Sequence, residues 1–205
     1  MKPLLTIPLF PLKLVLFPGG ILPLKIFEKR YVDMVRSCLR DKSGFAIVSV
    51  CEDITQANYP FSAIGTLVDI IETDVPQPGL FNIKCMGLQK ISVKSASQKE
   101  DGLWLADVER IPNEIDIQVP EDLLAPKHYF EQLITSLAQE NIPSNEMPFS
   151  TPFQLDSGVW LANRWCEILD LPITEKQRML EIESPLLRLS YINALLTSNH
   201  KNLQD

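Results

Sequence analysis

Prolines interrupt the most apolar part of the chain: Pro3, Pro8, Pro11, Pro18 and Pro23 punctuate an otherwise largely aliphatic and aromatic run over residues 3–27. Each removes a backbone N–H that a sheet ladder would use, so extended segments here must lie at edges or bend sharply. A small irregular barrel accommodates such strands better than a flat sheet. The same residues exclude a membrane span. The most apolar stretch, 14–24, contains Pro18, Gly19, Gly20 and Pro23 and is far shorter than the roughly 20 residues a span requires. The opening run also lacks the small-residue cleavage site of a signal peptide, so a soluble chain is expected.

Sixteen prolines stand beside only eight glycines, which leaves little material for phosphate-cradling loops. The formal charge of −7 argues against a broad phosphate-binding face. That charge is unevenly spread: residues 1–118 carry 13 basic and 14 acidic side chains, residues 119–205 carry 6 and 12. The change coincides with a change in texture, and a division into 1–118 and 119–205 is expected. The acidic half reads as a solvated helical surface.

The first 118 residues read mainly as strands. Extended segments are expected at 6–10, 14–17, 21–27, 45–50, 65–71, 81–85 and 104–108. One helix, 28–40, places Tyr31, Val32, Val35 and Leu39 on an apolar face. Loops are expected at 51–62, 72–79 and 95–102. Beyond Val119 the pattern is helical. Tyr129, Leu133, Ile134 and Leu137 form one face, with Pro126 at its first turn or a kink. A proline-bearing linker is expected at 141–152. A second helix, capped by Asp156 or Ser157, carries Leu161, Trp165, Ile168 and Leu169. Thr174-Glu-Lys-Gln177 has capping-box form, and Ser184-Pro185 opens a last helix. Trp160 and Trp165 are five apart, so one is expected at the surface or between the two halves.

The cysteines, Cys38, Cys51, Cys85 and Cys166, form no C-x-x-C pair, and the histidines are His128 and His200. Zinc needs converging N or S ligands from closely spaced pairs, so no metal site is expected. Apolar neighbours suggest buried free thiols and a reducing cytoplasm. Catalytic constellations are thin: Cys166 falls on an apolar helix face and His200 in a tail, so no catalytic residue and no cofactor is assigned.

One set of motifs is specific. Ile7-Pro-Leu-Phe-Pro-Leu12, Val15-Leu-Phe-Pro-Gly19, Leu22-Pro-Leu24 and Ile26-Phe-Glu-Lys-Arg-Tyr31 resemble the opening signature of the Lon amino-terminal domain family. Ile64-Gly-Thr66 and Phe81-Asn-Ile-Lys-Cys-Met-Gly87 continue the resemblance. So do Leu161-Ala-Asn163, Leu169-Asp-Leu171, Lys176-Gln177, Leu180-Glu181 and Arg188-Leu189 in the helical half. One departure is Lys90, where the family commonly has arginine. Most of these residues read as structural, with Lys176-Gln177 and Arg188-Leu189 placed to tie helix ends together.

The resemblance implies an α+β fold: a PUA-like β pseudo-barrel followed by an α-helical bundle. It also implies non-enzymatic recognition of unfolded or exposed polypeptide segments, with a separate protease as one conceivable partner. The full-length protease adds an ATPase and a serine–lysine peptidase domain. No G-x-x-x-x-G-K-[ST] occurs here, the nearest sequence being Asp41-Lys-Ser-Gly44, so a stand-alone recognition module is expected. Aromatics and prolines at loop–strand junctions, namely Tyr59, Phe61, Pro76, Pro78 and Phe81, are the candidate polypeptide contacts, set against the plainer reading that they fold onto the barrel. Two alternatives stand beside this: a PUA-like RNA-binding module, disfavoured by the near-neutral barrel half, and an adaptor for one folded partner.

Overall fold

The first strand resolves its own proline problem. In a computed structural model that describes residues 4–51, 58–140, 149 and 151–201, β1 (Leu5–Leu12) divides its partners along its length. Leu5 to Leu9 pair antiparallel with β6 (Trp104–Arg110), and Leu9 to Leu12 pair parallel with β3 (Phe45–Val50). Pro8 is registered only with Leu105 and Pro11 only with Val48. Each proline thus sits where the strand has one neighbour, and its missing N–H leaves no gap in a two-sided ladder. The strand as a whole is interior, so the edge expected from the sequence exists only residue by residue.

β3 pairs with β4 (Phe61–Gln77), β4 with β5 (Leu80–Gln98), and β5 returns to β6. These pairings close a ring of β1, β3, β4, β5 and β6 within the six-stranded sheet. β2 (Ile21–Ile26) joins from outside on β5. The expected loop at 72–79 is mostly strand, and the first half of the one expected at 95–102 continues β5 to Gln98. The distal parts of β4 and β5 form a hairpin turning at 78–79, in which every β4 residue from Ile71 onward is exposed while β5 still buries Phe81 and Ile83. A length of strand exposed at every residue looks like loop in a sequence, because it lacks the apolar alternation of a half-buried strand. The expected strand at 14–17 is not one. Its side chains are divided instead: Leu16 enters the core under α1 (Lys29–Asp41), whereas Val15 and Phe17 enter the helical core.

α1 packs Tyr31, Val32, Met34, Val35 and Cys38 against Phe10, Phe45, Val68 and Phe81. Inside the ring, Ile7, Leu9, Val48, Phe61, Ile91 and Val108 form a second core. The remaining helices are α2 (Leu124–Gln139), α3 (Gly158–Ile168), α4 (Ile173–Glu181) and α5 (Pro185–Lys201). The linker expected at 141–152 lies largely outside the described residues, as do 52–57 of the 51–62 loop.

α3 is buried on nearly every side, from Trp160 to Cys166. Neither tryptophan is at the surface; Trp160 lines a cleft with Pro18, Gly19, Leu88 and Lys90 of the first half, the second of the two expected placements, and both pack edge-on against the fully buried Phe130 of α2 at 5.4 and 5.2 Å. Ser157 caps α3, its Oγ accepting from the Trp160 N–H at 2.9 Å. The capping box at 174–177 does not form: α4 starts at Ile173 after Pro172, with no side-chain cap, and Gln177 is turned toward the sheet. Ser184 does cap α5, accepting from the Leu187 N–H at 3.3 Å. Among the described residues no helix is long and apolar enough to cross a membrane.

Candidate polypeptide-binding surface

The sequence-predicted contact residues fall in two places. Tyr59 and Phe61 lie at the ring, stacked at 5.4 Å and both edge-on to Trp104. Phe61 is 2% exposed, and the Tyr59 hydroxyl accepts from the Ala96 N–H at 3.0 Å. Pro76 and Pro78 are exposed at the β4–β5 hairpin, while Phe81, two residues past the turn, is buried under α1 with the Arg36 guanidinium 5.7 Å from its ring centre.

Strand register brings further residues to the hairpin. Ile26, the last residue of β2, is opposite Phe81, so Phe27 leaves the strand at the hairpin end of the sheet. Phe27 is 70% exposed and Val75 50%. With Pro76 and Pro78 they place four apolar side chains in water at one end of the sheet. Phe27 and Val75 escaped the sequence reading because one closed an extended segment and the other sat in an expected loop. The signal available was an aromatic directly after an alternating strand and before the helix.

Beside this end runs a groove of about 660 Å³, crossed by the rows Pro23–Lys84–Glu72, Leu24–Ile83–Thr73 and Lys25–Asn82–Asp74. Lys84 pairs with Glu72 at 2.9 Å, and Asn82 Nδ2 donates to Asp74 at 3.4 Å. The Gly87 N–H donates to Gly20 O, and the alternation of an antiparallel ladder then turns the main chain of Leu22, Leu24 and Ile26 toward β5. Ile21, Pro23 and Lys25 face the other edge, where Pro23 offers no donor. That edge is blunted against strand addition, so side-chain contact rather than ladder extension is the chemistry this surface supports.

The residues that carry the family resemblance do other work. The turn at Pro18-Gly19-Gly20 is held by α3: Arg164 NH2 donates to Pro18 O at 2.9 Å, and Asn163 Nδ2 to the same oxygen at 3.3 Å. Glu167 accepts from the Phe17 N–H at 3.3 Å and lies 2.9 Å from Arg164 Nε. Burial dominates this pair. It lowers the Arg164 guanidinium and pushes Glu167 up to about 7, against the attraction between them.

A second buried group joins sheet and helices. Arg188, 1% exposed, donates to Glu114 through both terminal nitrogens, to Ile182 O at 2.7 Å and to Asn163 Oδ1 at 3.0 Å. Lys90 donates to Glu114 at 2.7 Å and to the carbonyls of Leu180 and Ile182. Burial raises the Glu114 carboxyl, but hydrogen bonds from Arg188 and Lys90 outweigh it and hold it below its ordinary value. Gln177 bridges Ser49 Oγ at 2.7 Å and Ile64 O at 3.1 Å. Lys176 donates to Glu167 O at 2.8 Å. The sequence reading that Lys176-Gln177 and Arg188 tie helix ends together describes these bonds, which extend to the sheet as well.

Cys38, Cys85 and Cys166 are buried free thiols, and Cys51 is half-buried. Burial pushes Cys166 up to about 12, the wrong direction for a nucleophile. His128 is exposed on α2, and the His200 side chain lies outside those described.

Comparison with known proteins places these features in a family. A family model described as ATP-dependent protease La (LON) substrate-binding domain matches residues 6–198. The chain is 22% identical over 205 residues to a Lon protease of Anaeromyxobacter dehalogenans (strain 2CP-C), covering 97% of itself but only 24% of that protein. Among solved structures, a Lon N-terminal domain protein from Xanthomonas campestris superposes with a TM-score of 0.75 at 25% identity, covering 93% of this chain and 98% of that one. The N-terminal domain of a Mycobacterium avium complex Lon protease gives 0.59 at 15% identity, covering 91% and 95%.

Proposed function

Since the chain belongs to the family of the ATP-dependent protease La (Lon) substrate-binding domain, we propose that it is a non-enzymatic module that recognises unfolded or exposed polypeptide segments, using the surface around Phe27 and the β4–β5 hairpin. The closed ring of strands is read as a PUA-like pseudo-barrel and α2–α5 as a helical bundle, divided at residues 118 and 119. The observation that carries the reading is the exposure of Phe27 and Val75 together with Pro76 and Pro78 beside an open groove. Burying one large apolar side chain contributes about 1.5–3 kcal/mol. Set against the cost of association, two such anchors support weak binding, suited to a client held briefly and passed on. A separate protease is the partner class that would receive it. Buried free thiols at Cys38, Cys85 and Cys166 support a reducing, cytoplasmic setting.

The test compares a permanently unfolded protein, reduced and carboxymethylated, with its native form as ligands in solution. The unfolded form should bind and the native form should not. Equal binding, or none to either, contradicts the proposal.

A further inference from the structure

A second hollow has different chemistry. About 300 Å³ in volume, it lies between the 13–16 segment, the start of β2, the end of α3 and the start of α4. Leu14, Leu22, Ile168, Leu171 and Ile173 make its lining apolar, and Lys13 and Lys176 are its two cations. Lys176 is half-buried with Nζ fixed by the Glu167 carbonyl at 2.8 Å, which leaves it further N–H donors. Lys13 is exposed. The third charged lining residue, Glu167, spends its carboxylate on Arg164 and the Phe17 N–H. Two ammonium groups thus border an apolar hollow on a molecule whose formal charge is −7.

We propose that this hollow binds the C-terminal residue of a polypeptide, taking an apolar side chain while Lys13 and Lys176 meet the free carboxylate. A chain end presents a carboxylate and an apolar side chain from a single Cα, the juxtaposition this small volume offers. An internal Asp or Glu would bring the charge without the apolar group. The proposal rests on the reading of the chain as a polypeptide-recognition module, and it adds a preference for chain ends at a place distinct from the Phe27 surface.

The experiment uses the full chain and fluorescein-labelled short peptides ending in leucine, each made as the free acid and as the C-terminal amide. A third peptide, apolar and blocked at both ends, reports the Phe27 surface. The free acid should bind about tenfold more tightly than the amide, the scale of a charge-assisted hydrogen bond. That advantage should shrink as salt is raised and disappear in Lys13→Glu, with the doubly blocked peptide unaffected. Equal affinity for acid and amide, or an advantage that survives Lys13→Glu, overturns the proposal. Loss of the doubly blocked peptide's binding alone overturns the Phe27 reading and leaves this one standing.

Discussion

Gly20 rests against the carboxylate of Glu167: a Cβ there would stand 2.0 Å from Oε1 and 2.9 Å from the Phe17 carbonyl oxygen. The neighbouring Gly19 adopts φ +79° and donates its N–H to Gly87 O at 2.7 Å. Together they let the turn lie directly on the Arg164–Glu167 pair of α3, which fastens the first strands to the helices. Gly20→Ala should cost about 1–3 kcal/mol by overpacking, measured by urea denaturation. An unchanged midpoint would show that the turn can shift away from α3.

The same carboxylate gives stability a pH dependence. Glu167 is raised from its ordinary 4.5 to about 7 by burial, so the folded state holds a proton that the unfolded state releases at lower pH. Its contribution is fully present below about pH 4.5 and is lost as pH rises through about 7, a change on the order of 3 kcal/mol. Unfolding free energies of the wild type should fall across that window more than those of Glu167→Gln. Parallel pH profiles for the two proteins would contradict the assignment.

Arg188 is the buried junction of Glu114, Asn163 and the end of α4. Arg188→Ala leaves the Glu114 carboxylate with only Lys90 and should destabilise the protein by about 3–5 kcal/mol. Glu114 acts in the opposite pH sense from Glu167. Its carboxyl is held low, so its contribution is present above the ordinary carboxylate range and disappears as acid protonates it. Thermal melts at neutral and acid pH check both statements: Arg188→Ala should narrow the acid-induced loss of stability, and an unchanged acid profile would contradict the role of the pair.

Elements marked by a helical apolar stripe or by a short continuous apolar run were legible in the sequence. The helix at 28–40 is Lys29–Asp41 in the structure, and the strand at 45–50 coincides with β3, which is buried at all but its last residue. The distal part of β4, exposed at every residue, carries no such signal and read as loop. α3 is dry on nearly all faces, so neither of its tryptophans is exposed. Gln177 matched a cap by spacing, but the competing partners Ser49 and Ile64 lie over a hundred residues away in sequence, beyond any local pattern. Pro76 and Pro78 could be nominated from local composition. Phe27 joins them only through the β2–β5 register, which is a property of the assembled sheet.

The most direct test of polypeptide recognition at this surface is the affinity of the doubly blocked apolar peptide for Phe27→Ser/Val75→Ser, measured by fluorescence anisotropy. Both side chains are solvent-facing, so folding stability should stay within about 0.5 kcal/mol of the wild type. Affinity should fall at least about tenfold, the equivalent of about 1.4 kcal/mol. A variant that folds normally and binds the peptide as tightly as the wild type would contradict the account.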